Sequence, residues 1–294
     1  MSRAVAIGTF DGVHLGHRRV LAEALSTGLE PVVVTFHPHP RGVVLGHRVE
    51  LISTLERRIE LIREVGIEDV VVLEFTPELS LLEPEEFLER HVGPLGASVL
   101  VAGEDFRFGR QRRGDLALLA SLGYGVRAIP AVPGVSSTEI RRLLHEGDVR
   151  GAADLLGRPA ELDGVVVAGD ARGDTLGFPT ANLAVAPDVA VPTFGIYAGA
   201  ALGTRAAVSI GTNPHYGGRE RRVEAFLLDF EGDLYGRRLV VELWERLRDE
   251  RSFASEKELI DAIAADVEAT RRAVRPGAPS AGPDAVEGAR GSAR

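Results

Sequence analysis

The chain has 294 residues, enough for two domains, and its 45% hydrophobic and 26% charged residues are the balance of a soluble globular protein. Zero cysteines exclude disulfides, thiolate metal sites and cysteine nucleophiles, while a net charge of −9 argues against general nucleic-acid binding. No stretch approaches the roughly 18 apolar residues of a membrane helix. The run Ala4–Ile7 is too short for a signal peptide, so the chain is expected to stay in the cytoplasm.

The first half alternates. Apolar runs at Ala4–Ile7, Pro31–Phe36, Val70–Phe75 and Ser98–Ala102 predict buried parallel strands. Helical patterns lie between and after them at Gly16–Leu25, Thr54–Val65, Pro84–Val92 and Asp115–Leu122, the second with Leu55, Ile59, Ile62 and Val65 on one face. Strand–helix alternation predicts a doubly wound α/β sheet with ligands at the carboxyl ends of its strands. After Gly147 a short helix, Val149–Leu156, ends at Gly157. Strand-like runs follow without intervening helices: Gly164–Ala168, Gly195–Ala201, Ala206–Ile210, Val223–Phe230 and Arg238–Trp244. They predict an antiparallel barrel or sandwich. A late helix starts at Ser255, with Glu258 completing a capping box and Leu259, Ile263 and Val267 on one face. From Arg275 the Pro/Gly/Ala/Ser texture predicts a disordered tail.

Lys257 is the only lysine, so phosphate chemistry would fall to arginine, histidine, backbone amides and a metal. In Gly8-Thr9-Phe10-Asp11-Gly12-Val13-His14-Leu15-Gly16-His17 a strand ends at Gly8 and a helix starts near Gly16. That puts His14 and His17 at a helix N-terminus, where amides and dipole favour phosphate. Ser136-Ser137-Thr138-Glu139 reads as a capping box, and with Arg141 one turn later it could also cradle an anion. The run Gly103–Arg113 is either a solvated charge run or a basic attractor for a phosphorylated substrate. His37 and His39 suggest a metal only weakly, because no third ligand accompanies them.

In the second half, Arg172–Asn182 is a glycine-rich turn whose amides could cradle phosphates, with Thr180 and Asn182 offering oxygens suited to Mg²⁺. Such segments are also ordinary turns. Glu224, in the strand Val223–Phe230, would share a face with Phe226, Leu228 and Phe230. It is either a solvated strand-end residue or a carboxylate held in a site.

The segments Gly8–His17, Thr35–Pro40, Gly103–Gly109 and Ser136–Arg141, in that order, resemble prokaryotic bifunctional riboflavin kinase/FMN adenylyltransferases, and the resemblance covers about residues 4 to 272. The resemblance implies a Rossmann-like HxGH nucleotidyltransferase domain at 1–157, a small antiparallel β-barrel kinase domain with a C-terminal helix at 158–274, and a tail at 275–294. It implies two reactions, riboflavin to FMN and FMN to FAD, each using ATP, with Mg²⁺ as cofactor. By the resemblance His14, His17 and Arg141 serve adenylyl transfer, and Gly8, Phe10, Asp11, Gly16, Ser136, Ser137 and Thr138 bind ATP phosphates. Asp105 and Arg107 would meet the flavin. In the kinase half Gly173, Gly177, Thr180 and Asn182 would hold MgATP, Glu224 would be the base, and Arg248, Glu250 and Phe253 would hold the flavin ring, with Trp244 nearby or in the core.

Three positions depart from the family pattern: Asp174 replaces a basic residue, and His215-Tyr216 replace Thr-Phe. Riboflavin, FMN, FAD and ATP are the expected ligands, with neither nucleic acid nor membrane, and self-association is left open. Rival readings are a related enzyme using a modified flavin or another nucleotide, and a flavin-binding sensor without turnover.

Overall fold

Valine-rich runs too short for helices, each followed by an amphipathic segment, build the first half of the molecule. The computed structural model describes residues 2–169, 178, 180–212 and 221–277. Two units result, Met1–Arg141 with Ala186–Ala190, and Arg142–Val185 with Val191–Arg294.

In the first unit five strands, β1 (Arg3–Ile7), β2 (Glu30–His37), β3 (Asp69–Glu74), β4 (Ala97–Gly103) and β5 (Gly125–Ile129), form a parallel sheet in the order β3-β2-β1-β4-β5. The helices are α1 (Leu15–Ser26), α2 (Pro40–Leu45), α3 (Leu55–Glu64), α4 (Pro77–Ser80), α5 (Pro84–Phe87), α6 (Leu116–Ser121) and the first turns of α7 (Ser137–Glu146). Ala6, Val33 and Val101 pack on one face against Val20, Leu21 and Ala24 of α1 and Leu61 and Ile62 of α3. Val5, Ile7, Val32, Val34 and Leu100 pack on the other against Phe87, Leu88, Val92 and Leu119. Both faces are therefore covered, as the doubly wound reading requires.

The expected elements of this unit are all present, with differences that have physical causes. β5 escaped the sequence reading because it is an edge strand, half exposed and interrupted by Arg127. The Pro84–Val92 helix breaks after Phe87 into a π turn, Leu88–Val92. On α3 the buried positions are Arg58, Leu61 and Ile62, whereas Leu55 and Ile59 are only half-buried, so the inward face is rotated from the expected stripe.

In the second unit β6 (Ala160–Val167), β7 (Ala181–Val185), β8 (Gly195–Ala201), β9 (Thr204–Thr212), β10 (Arg221–Leu227) and β11 (Arg238–Arg248) close into an antiparallel barrel, β10-β7-β6-β11-β8-β9. The helix α8 (Val149–Leu156) packs on β6 and β11, and the last helix, α9 (Glu256–Arg272), on β8 and β9. The capping box at α9 forms: Glu258 N–H donates to Ser255 Oγ at 3.2 Å, and Ala254 N–H donates to Glu258 Oε2 at 3.1 Å.

Several expectations need correction here. β7 begins where a turn was expected. β10 stops at Leu227, and Asp229 takes a left-handed conformation (φ 57°), so Leu228 and Phe230 leave the face that Glu224 shares with Phe226. The buried positions of α9 are Ala262, Asp266 and Thr270, with Leu259, Ile263 and Val267 half-buried beside them. Arg275, assigned to the tail, is fixed to Glu242 by two hydrogen bonds of 2.8 and 2.6 Å; residues 278–294 lie outside the described ones.

Candidate active sites in the two units

The loop leaving β1 is turned sharply. Phe10 (φ 50°), Gly12 (φ 76°) and Val13 (φ 43°) are all left-handed. Gly12 is required twice over, since a Cβ there would also fall 2.7 Å from Ile52 Cγ2. Asp11, between them, is 1% exposed, and both its oxygens are used. Oδ1 accepts from the backbone N–H of Ile52 at 2.9 Å and of Ser53 at 3.2 Å, and Oδ2 accepts from Arg141 Nη1 at 2.9 Å. Gly12 N–H donates to Ser53 Oγ, and Ser137 Oγ donates to the Asp11 carbonyl.

This turn delivers the two histidines to the start of α1. The His14 and His17 rings stack with centroids 3.6 Å apart, and Phe10 meets the His17 ring edge-on at 5.3 Å. His14 Nδ1 accepts from His17 N–H at 3.3 Å, which leaves the proton of the neutral ring on Nε2. Burial lowers the His14 pKa to about 4 and that of His17 well below its usual value. His39, at the cap of α2, is also lowered to about 4 by burial, and its Nδ1 accepts from Arg41 N–H at 3.1 Å. At neutral pH the site presents uncharged imidazole donors.

A cavity of about 1140 Å³ opens at the carboxyl ends of the strands. Of the residues singled out in the sequence, Gly8, Phe10, His14, Gly16, His17, Asp105, Arg107, Ser136 and Ser137 line it. His39 and the aromatic rings of Phe36, Phe75, Phe87, Phe106 and Phe108 complete much of its wall. Asp11, Thr138 and Arg141 are not among the lining residues; Thr138 is exposed and Arg141 is held by Asp11. Ser136 Oγ accepts from Glu139 N–H at 3.1 Å, as the capping box predicts. Arg110 and Arg113 of the basic run pair with Glu83 at the surface.

Sequence reasoning missed Arg58. It is 1% exposed, donates from Nη1 to the Phe36 carbonyl at 3.1 Å, and its Nε and Nη2 have no hydrogen-bond partner among the described residues. The available signal was an arginine three residues after Leu55 and four before Ile62, inside an apolar stripe.

In the barrel Glu224 is paired in register with Asn182 on β7 and Ser209 on β9. The fold thus brings together Asn182 and Glu224, far apart in sequence. Arg222 Nη1 donates to Glu224 Oε1 at 2.8 Å, and Phe226 meets Phe178 edge-on at 5.5 Å. Glu224 is half-buried and partnered, so it is not a freely solvated strand end. Glu250 reaches over Gly211 of β9, where any Cβ would collide with its carboxylate. Arg248 forms a bidentate pair with Asp266 of α9 at 2.9 and 2.7 Å and lies 5.7 Å from the Phe253 ring centroid. Trp244 belongs to the core, donating to Glu242 at 2.7 Å beneath Arg205. Gly173, Gly177, Asp174, His215 and Tyr216 lie outside the described residues.

Histidines at a helix N-terminus over a large cavity on a parallel sheet define a nucleotidyltransferase unit, and the second unit has the closed barrel of a riboflavin kinase. The FAD synthetase family profile matches residues 1–140 and the riboflavin kinase profile residues 156–274. A bifunctional riboflavin kinase/FMN adenylyltransferase of Listeria monocytogenes is 33% identical over 92% of this chain and 92% of its own length. One of Bacillus subtilis is 36% identical over 89% of each. A crystal structure described as a macrolide-efflux protein from Streptococcus pneumoniae has a TM-score of 0.84 and 32% identity, covering 93% of this chain and 95% of that one. The chain belongs to the bifunctional riboflavin kinase/FMN adenylyltransferase family.

Proposed function

We infer that the barrel unit phosphorylates riboflavin with ATP and that the parallel-sheet unit converts FMN and ATP to FAD and pyrophosphate. The family assignment and both matched domains support the two activities. The observation that carries the residue roles in adenylyl transfer is the stacked His14–His17 pair at the α1 N-terminus, on the wall of a cavity large enough for a dinucleotide.

In adenylyl transfer an FMN phosphate oxygen attacks the α-phosphorus, the bond to the bridging oxygen breaks, and pyrophosphate leaves. Negative charge grows on the non-bridging and leaving oxygens. His14 and His17, on the cavity wall, donate to them, as does Arg141 by the family assignment, and the amides at Gly8, Gly16, Ser136 and Ser137 hold the phosphates. The aromatic wall, with Asp105 and Arg107 at its edge, receives the flavin.

In the kinase unit Glu224 takes the proton of the ribityl 5′-hydroxyl as its oxygen attacks the γ-phosphorus, and ADP leaves. Arg248, Glu250 and Phe253 bound the flavin end of that site. The donor set fits Mg²⁺: Thr180 and Asn182 offer neutral oxygens, and Gly169 leaves the space the Asn182 amide occupies. When bound there, Mg²⁺ would neutralise charge on the ATP phosphates. The site of action is proposed to be the cytoplasm.

Product analysis tests this directly. Protein mixed with riboflavin, ATP and Mg²⁺ should yield FMN and then FAD, whereas bound but unchanged riboflavin would overturn the enzymatic reading.

A further inference from the structure

Asp11 is the one acidic side chain buried beneath the nucleotidyltransferase loop, and nothing about it suits direct contact with a triphosphate. Like Arg141 it is not on the cavity wall, and unlike Arg141 it carries the same sign of charge as the phosphates. All its reach is spent inside the protein, on Ile52 and Ser53 amides through Oδ1 and on the Arg141 guanidinium through Oδ2. Near it Arg58, tied to the Phe36 carbonyl, supplies a buried cation. Burial raises the Asp11 pKa and the Arg58 charge opposes that rise.

We propose that Asp11 is a positioning residue for adenylyl transfer: fixed by two backbone amides, it aims the Arg141 guanidinium at the phosphate site and touches no substrate. This rests on the role given above to Arg141. The geometry explains why a carboxylate stands inside an anion site. A guanidinium has five donors, so one N–H spent on Asp11 leaves the others for phosphate oxygens, and a fork held at one corner has less room to swing. Asp11 also fastens the left-handed loop that carries His14, so two catalytic groups from distant sequence positions share one anchor.

The test compares Asp11→Asn, Arg141→Ala and the double variant in the full-length chain, with kcat and KM measured for FAD formation from FMN and ATP. Riboflavin phosphorylation by the same preparations checks the integrity of the barrel unit, and an active-site titration with FMN counts competent first units. Each single change should lower kcat by about 10²–10³-fold, the loss of one aimed donor. The double variant should equal Arg141→Ala within about threefold, because Asp11 has nothing left to aim. Losses that multiply would overturn the proposal, as would normal turnover in Asp11→Asn. Normal turnover in Arg141→Ala would instead remove the role of Arg141 itself.

Should Asp11→Asn fail to fold, Arg141→Lys decides. A lysine keeps the charge but lacks the fork, so it should be as slow as Arg141→Ala within about threefold. Near wild-type turnover in Arg141→Lys would show that charge alone suffices and that no aiming is needed.

Discussion

At the scale of single residues, the two reactions separate along two side chains. His17 lies between the His14 ring and the edge of Phe10, on the wall of the first unit's cavity. His17→Ala should cut FAD formation from FMN by about 10²–10³-fold, the cost of one oxyanion donor. FMN formation from riboflavin should persist. Equal collapse of both activities in a folded protein would show the sites are not separate. Glu224 tests the other half. Glutamine keeps its size and its bond to Arg222 but cannot accept a proton, so Glu224→Gln should lower riboflavin phosphorylation by about 10²–10⁴-fold. Riboflavin binding, followed by flavin fluorescence, should barely change, and supplied FMN should still become FAD. Near-normal kinase turnover would place the base elsewhere.

At the scale of elements, capping makes a quantitative claim. Ser255 accepts from Glu258 N–H, and Glu258 returns to Ala254 N–H. Ser255→Ala should cost about 1 kcal/mol, read as a lower urea midpoint in the barrel unit at unchanged slope. Here the sequence spoke clearly, because capping is local chemistry with a fixed spacing. The same holds for the Gly8–His17 loop and the Ser136–Glu139 box. Long-range pairing was harder to see. β7 was hidden in a Gly/Pro-rich stretch because its ladder partners, Gly164–Val167 and Glu224–Ala225, supply the reason for it to extend. The register that sets Asn182 opposite Glu224 has no local signal either. Arg58 escaped because its buried guanidinium depends mainly on Asp11 and the Phe36 carbonyl, which reach it from other elements.

At the scale of the whole molecule, the described buried and half-buried histidines make the two units respond differently to acid. His14, His17, His39 and His91 belong to the first unit, and burial lowers the pKa of each. A lowered pKa means the unfolded state binds protons first. Stability is therefore complete above the unfolded value of 6.5 and is lost as pH falls through about 4. The nearly buried His14 alone is worth on the order of 3 kcal/mol across that window. Asp11, with a raised pKa, works in the opposite direction, one carboxyl against four imidazoles. In urea titrations followed by refolding-independent activity, the midpoint for FAD formation should fall between pH 7 and pH 4.5 more than the midpoint for FMN formation. Parallel shifts would contradict this reading of the histidines.

Closure of the barrel has one more consequence. β9 pairs with β10, so among the described residues the ring of strands has no edge strand for another molecule to extend. The parallel sheet does have such rims, at β3 and β5. Along β3 the run Val70-Val71-Val72-Leu73 has the composition of a fibril-forming segment. Asp69 and Glu74 stand as charged gatekeepers at its two ends, with Asp69 held by Arg3. Neutralising those two carboxylates would leave both active sites chemically intact and turn this border into the place where separate molecules of the enzyme begin to zip together.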